Sequence, residues 1–250
     1  MRTVNTPAQT LSKDIARISS MFSGISRRYD LLNRILSGRR DVAWRNALAE
    51  RHRLWSERRG LWGANHLDLA TGTGDLLFTL LTKSPRISGA TGIDISRGML
   101  DVGQEKALKL GLHRRARFLE ADAVRIPFPD QAFDSASIAF GIRNVYDVPA
   151  CLREVNRSLK PEGKFFVLEF SQPRMPVLSH LYRFYFRHIL PVVGGWLSGD
   201  RAAYLYLNRS VEEFPYGEEF LKLLKDAGFR DLKATSFSLG IATLYEGTKS

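Results

Sequence analysis

The sequence predicts an α/β protein built on a largely parallel sheet with helices on both faces. Three observations predict it. From residue 64 to 171, short apolar runs alternate with stretches of helical length. The first run ends on a small-residue turn, ATGTG at 70–74, that leads at once into a helical stretch. The last two runs, 229–237 and 241–249, are separated by a few residues around Gly240, a spacing that suits antiparallel pairing. Short apolar strands joined by helices imply parallel neighbours buried on both sides.

The elements follow in order. Residues 1–20 are polar, weakly periodic and terminal, and are expected to be mobile. Residues 21–59 place Ile25, Tyr29, Leu32, Ile35 and Leu36 at helical spacing, which predicts two helices broken near Ser37-Gly38. Strands are expected at 66–70, 90–95, 116–122, 133–140 and 164–170, with helices at about 74–83, 97–110 and 147–159. After residue 171 the alternation is interrupted by an aromatic-rich segment, 179–197, helical up to Pro191, and by a helix at 200–210. A last helix at 217–228 ends on Gly228, a suitable C-terminal cap, before the two closing strands.

The 250 residues suffice for one sizeable core and predict one domain with embellishments. No apolar run reaches the roughly 18 residues of a membrane-spanning helix, and the N-terminus does not read as a secretory signal. Cys151 is the only cysteine, so no intramolecular disulfide and no cysteine-based zinc cage is expected. A cytoplasmic protein is the simplest expectation. The net charge is +11, and residues 1–60 hold thirteen Lys/Arg against five Asp/Glu. Such a segment suits nucleic acid, an anionic membrane surface, or simply a solvated face.

The glycine turn invites a ligand. A phosphate-binding loop needs Gly-Lys-Ser/Thr, and no Lys follows Gly74. A dinucleotide fingerprint needs a third small residue where Leu77 stands. What remains is Asp68, Ala70, Gly72, Thr73 and Gly74, with the glycines clearing a path for an adenosine and a methionine backbone. Asp94, twenty residues past Gly74, ends the next strand and suits two ribose hydroxyls. Asp122 ends the third strand and suits the adenine amine, while Ala123 leaves room for the ring. Either aspartate alone reads as a helix cap. Three such segments at one sheet edge point to S-adenosylmethionine, with no metal.

At this point the chain resembles the quinone C-methyltransferases that act on demethylmenaquinol or on the benzoquinol precursor of ubiquinone, a group of class I S-adenosylmethionine-dependent enzymes. The resemblance runs from about residue 21 to 249 and rests on YDLLNRILSGRRDVAW (29–44), LDLATGTGD (67–75), FGIRNVYD (140–147) and RSLKPEGKFFVLEFS (157–171). AAYLYLNRSVEEFP (202–215) and DAGF (226–229) are also similar. It implies a Rossmann-like seven-stranded sheet with an antiparallel last strand. It divides the domain into N-terminal helices (21–63), a cofactor-binding core (64–171), an inserted substrate cover (172–215), and a C-terminal helix with a strand pair (216–250). It assigns S-adenosylmethionine to Thr73, Asp94, Asp122 and Ala123. Departures are Leu32 for Met, Asp41 for His, Ala139 for Ser and Glu162 for Gly; Asn33 keeps the pattern.

In such a reaction the electron-rich ring carbon of a quinol attacks the sulfonium methyl, so in-line alignment and proton acceptance are needed. Tyr29, Arg143 and Asn144 are the candidates for quinol recognition, with Arg143 supporting a developing phenolate and water taking the proton. Tyr204, Asp200, His180 and His188 are weaker candidates. The aromatic stretch from Leu181 to Leu190 either lines a channel for a polyprenyl tail or packs as core. The basic N-terminal helices then suit peripheral contact with an anionic membrane. A different small acceptor, RNA, a non-catalytic adenosine-binding role, and an NAD-dependent oxidoreductase are the competing readings. No RNA-binding module is recognisable, so nucleic acid is not expected. Oligomeric state is not readable.

Overall fold

The computed structural model describes residue 34, residues 37–173 and residues 210–250. The expected mobile segment 1–20, the first N-terminal helix apart from Arg34, the aromatic stretch 179–197 and all but the last residue of the helix at 200–210 lie outside the described residues.

The alternating runs fold as expected into seven strands among the described residues. They are β1 (Ala64–Leu69), β2 (Ile87–Asp94), β3 (Ala116–Glu120), β4 (Phe133–Ala139), β5 (Leu159–Phe170), β6 (Phe229–Phe237) and β7 (Ala242–Lys249). The helices between them are α1 (Arg40–Arg58), α2 (Asp75–Lys83), α3 (Arg97–Lys109), α4 (Val148–Ser158) and α5 (Glu218–Asp226). Gly38 and Arg39 are both left-handed, at φ 57° and 62°, and lead directly into α1 at Arg40. Gly228, at φ 90°, follows α5 as the expected cap.

One sheet orders the strands β3-β2-β1-β4-β5-β7-β6. The first five pair in parallel, and β7 runs antiparallel to both β5 and β6. Side chains of β5 show why both faces are covered. Phe165 and Val167 join a core with α4 and α5, through Leu152, Val155, Phe220 and Leu224. Phe166 and Leu168 point the other way, into a core with α1 and α2 that holds Trp44, Leu48, Leu77 and Leu80. Across the β1–β4 pair, His66 lies opposite Ser135 and Asp68 opposite Ser137, so four polar residues share one face.

β5 starts five residues earlier than the apolar run predicts. Its pairing with β4 jumps from Phe133–Leu159 to Ser135–Lys164, so the residues between are bulged out. Glu162 in this bulge is left-handed, at φ 63°, the conformation that favours the Gly it replaces. Gly163 next to it has no room: a Cβ there would lie 2.7 Å from the Lys160 carbonyl oxygen and 3.1 Å from that of Asp134. Both obstacles are backbone and cannot swing aside. Gly163→Ala is therefore expected to destabilise the protein by about 2–3 kcal/mol, read from the urea midpoint, while Lys160→Ala changes it little.

Candidate functional site

Strand β1 is the point where the topology reverses. The chain leaves β1 for β2 on one side, and β4 lies on the other. Ligands of open α/β sheets bind outside the carboxyl ends of the strands at such a point. A cavity opens there, walled by Asp68, Gly72, Thr73, Asp94, Asp122, Ala123 and Asn144.

The turn after β1 is held from three sides. Thr71 N–H donates to the Ile93 carbonyl at 3.0 Å, and Gly74 N–H donates to the Thr71 carbonyl at 2.9 Å. Gly72, at φ 55°, donates its N–H to Asp94 Oδ2 at 2.8 Å. A Cβ on Gly72 would meet nothing within 4 Å, so this residue leaves an open cradle on the cavity wall. Gly74 does something else. It is not on that wall, and a Cβ there would lie 2.8 Å from the Phe78 ring and 3.0 Å from Phe118. Gly74 lets α2 start tight against the sheet.

Asp94 takes Gly72 N–H on Oδ2 and Ser96 N–H on Oδ1 at 2.9 Å, and the Ile95 backbone N–H also bonds its carboxylate. A carboxylate accepts about four hydrogen bonds, so capacity for ribose hydroxyls remains. Burial pushes its pKa up from the ordinary value against these backbone bonds. The α3 cap is Ser96, not Asp94: Ser96 Oγ accepts Met99 N–H at 3.4 Å. Asp122 takes Val124 N–H at 3.0 Å, and Ala123 lies beside it with 8% exposure. Asp68 sits deeper, 1% exposed, and accepts from Thr71 Oγ at 2.7 Å and from Ser137 Oγ at 2.6 Å. Burial pushes its pKa up to about 6, against the pull of those two hydroxyls.

A model of the ubiE/COQ5 methyltransferase family matches residues 9–249. The chain belongs to this family. It is 45% identical over 93% of its length to the ubiquinone/menaquinone biosynthesis C-methyltransferase UbiE of Geobacter sulfurreducens, of which it covers 88%. It is 37% identical to the enzyme of the same description from Brucella abortus, covering 93% of this chain and 85% of that one. Among solved structures, a putative S-adenosyl-L-methionine-dependent methyltransferase from Methanococcus maripaludis superposes with a TM-score of 0.61 at 19% identity, covering 90% of this chain and 92% of that one. That likeness is one of fold.

The cavity of this family member fits S-adenosylmethionine on its own features. It offers the Gly72 cradle, spare acceptors on Asp94, and Asn144 Oδ1, which is buried and without a hydrogen-bond donor among the described residues. Two strand ends beside it are strained. Ala70 and Phe140 take φ of 45° and 56°, and a Cβ on Gly141 would come within 2.6 Å of Ala70 Cβ. Left-handed non-glycine residues persist where the surroundings over-determine them, and here both line the cavity.

Arg143 is not on the cavity wall. Its guanidinium forms a buried ion pair with Glu169 at 2.6 Å and donates to the Phe140 carbonyl at 2.6 Å. Nε is buried without a partner among the described residues. Tyr29, Asn33, His180, His188, Asp200 and Tyr204 lie outside the described residues. Asp41, which stands for the family's His, is buried and pairs with Arg45 at 2.6 Å. Arg45 in turn lies 3.7 Å from Asp75 and reaches the cavity wall. Burial raises the Asp75 pKa, but the cations of Lys106 and Arg45 outweigh it and hold the carboxyl below its ordinary value. Lys106 also reaches Thr73 Oγ at 3.2 Å, tying α3 to the turn. Sequence reasoning missed Arg45, Met99 and Tyr146 on the wall. The i,i+4 pair Asp41–Arg45 was the available signal for the first. Among the described residues, no three His, Cys, Asp or Glu side chains cluster to hold a metal, and no helix is long and apolar enough to cross a membrane.

Proposed function

We propose that this chain moves the methyl group of S-adenosylmethionine to a ring carbon of a polyprenylated quinol, with demethylmenaquinol as acceptor and the methoxy-benzoquinol precursor of ubiquinone as a second. The observation that carries the reading is the cavity at the β1 switch point, where Asp94, Asp122 and the Gly72 cradle meet Asn144. The names of the relatives support the quinol.

S-adenosylmethionine supplies a methyl on a positively charged sulfur. The chain supplies placement: Asp94 and Asp122 hold the nucleoside, Gly72 and Thr73 hold the turn around it, and Asp68 braces that turn from beneath. Asn144 presents its free Oδ1 to a hydroxyl or amine donor. Arg143, paired with Glu169 and bonded to the Phe140 carbonyl, acts in this reading by fixing the turn after β4 that carries Asn144. Alignment of the two reactants lowers the barrier by several kcal/mol. Tyr29 completes the acceptor site in this reading, and the basic N-terminal residues bring a cytoplasmic protein to the anionic membrane that holds the quinol.

The test is methyl transfer from labelled S-adenosylmethionine to chemically reduced demethylmenaquinol, with the methoxy-benzoquinol in parallel. Labelled menaquinol is the expected product. Binding of S-adenosylmethionine with neither quinol methylated would sink the acceptor and leave the cofactor site standing.

A further inference from the structure

A continuous line of buried hydroxyls and imidazoles runs beneath the cofactor turn, and the reaction as proposed makes no use of it. Ser137 Oγ donates to Asp68 Oδ1 at 2.6 Å. His66 Nε2 lies 2.8 Å from Ser137 Oγ, and His66 Nδ1 lies 2.8 Å from Ser135 Oγ. Ser135 Oγ lies 2.8 Å from His52 Nε2, and His52 Nδ1 lies 2.7 Å from Ser84 Oγ. All six side chains are 0–1% exposed. They come from β1, β4, α1 and the end of α2, and fill the layer between the sheet and the helices.

The direction of every bond follows from counting protons. A hydroxyl has one. Ser137 gives its proton to the Asp68 carboxylate, so it must accept from His66, which makes His66 the Nε2–H tautomer. His66 Nδ1 then accepts from Ser135, so Ser135 accepts from His52, again Nε2–H. His52 Nδ1 accepts from Ser84. Five consecutive bonds point the same way, toward Asp68, and chains of this kind strengthen one another in a dry interior.

We propose that this chain is a positioning device for the cofactor site: it locks both imidazoles as Nε2–H tautomers and holds Asp68 as an anion beneath the turn that receives a cationic cofactor. The inference rests on the reading of the cavity as an S-adenosylmethionine site. His66, Ser135 and His52 act through Asp68 and touch no reactant.

The groups facing Asp68 are Thr71 from the turn, Ser137 from β4, Arg45 from α1, which favours its anion, and Asp94 from β2, which opposes it. Burial places its titration near pH 6, inside a measurable window. Protonation of Asp68 removes the anion, so preference for the sulfonium cofactor over its neutral product, S-adenosylhomocysteine, must fall on acidification. Taking the ratio of the two affinities cancels titrations that affect both ligands alike.

The experiment has two parts. Nitrogen-15 NMR of the histidine rings at pH 7.5 is expected to show His52 and His66 as Nε2–H tautomers, and needs no variant. Calorimetry from pH 5 to 8 is expected to show the affinity ratio falling by about tenfold through pH 6. In His66→Leu, Ser137 loses its donor and the anion is harder to form, so the midpoint moves to higher pH. His66→Gln restores an N–H donor and moves it back. An Nδ1–H tautomer at either histidine, or a ratio flat with pH while both ligands bind, would overturn the chain's role. Failure of both ligands to bind would overturn the cofactor reading beneath it.

Discussion

Asp94→Ala is expected to lower the affinity for S-adenosylmethionine by about 100-fold or more, with kcat at saturation far less affected. Asp94 does two jobs with one carboxylate. It holds Gly72 N–H at 2.8 Å and Ser96 N–H at 2.9 Å, which fixes the turn to the end of β2. In the proposed complex it also takes ribose hydroxyls on its remaining lone pairs. Hydrogen bonds to a charged group contribute about 1.5–3 kcal/mol each, so losing two of them accounts for the factor. Asp94→Asn keeps one carbonyl acceptor and is expected to lose less. Calorimetry with S-adenosylmethionine, alongside a urea melt of each variant, separates binding from folding. Unchanged affinity in a folded Asp94→Ala protein would remove Asp94 from the site. Its role would then be to tie the turn alone.

The ease of reading these residues depended on whether their pattern matched their burial. The strands were legible because Leu67, Leu69, Ala136 and Ile138 alternate with residues that look polar, and the helices α2 and α5 because their apolar stripes are clean. The turn was legible because glycine, aspartate and strand end coincide. Helix α1 was harder. Its buried face, Asp41, Trp44, Arg45, Leu48, Ala49, His52 and Ser56, has helical spacing but only three apolar members, so the stripe does not show in hydropathy. The same blindness hid His66, Ser135 and Ser137. A polar residue in every second strand position gives no apolar signal of what covers it, and here that face is buried under α1 and α2. Arg143 was legible as a residue to single out but not as to direction. Nothing in FGIRN says that its guanidinium turns to Glu169, twenty-six residues away. Gly74 was read as clearance for a ligand, while the packing it relieves is between Phe78 and Phe118.

Acidification should unfold this protein through its buried histidines before most of its carboxylates matter. His52 is fully buried, and desolvation lowers its pKa from 6.5 to about 3. His66 is lowered well below 6.5, by burial first and by His52 beside it second. The folded state therefore binds fewer protons than the unfolded chain as pH drops below 6.5, so stability is lost on that side. At pH 4.5 His52 alone costs about 3 kcal/mol relative to pH 8, and His66 adds in the same direction. Asp68 runs the other way. Its folded pKa, raised to about 6 from 3.8, means that protonation between those values favours the fold. It returns about 2 kcal/mol by pH 4.5. The two effects share one hydrogen-bonded line, so their balance is testable. Urea unfolding at pH 8 and 4.5 is expected to show a net loss for the unmodified protein. His52→Gln, less stable than the parent at pH 8, should lose about 3 kcal/mol less over the same interval. Native-state NMR supplies the decisive control, because a buried neutral His52 ring must not titrate between pH 8 and 4.5. A ring that titrates near 6.5 would mean that the layer under α1 is open to water. The line from Ser84 to Asp68 would then be broken.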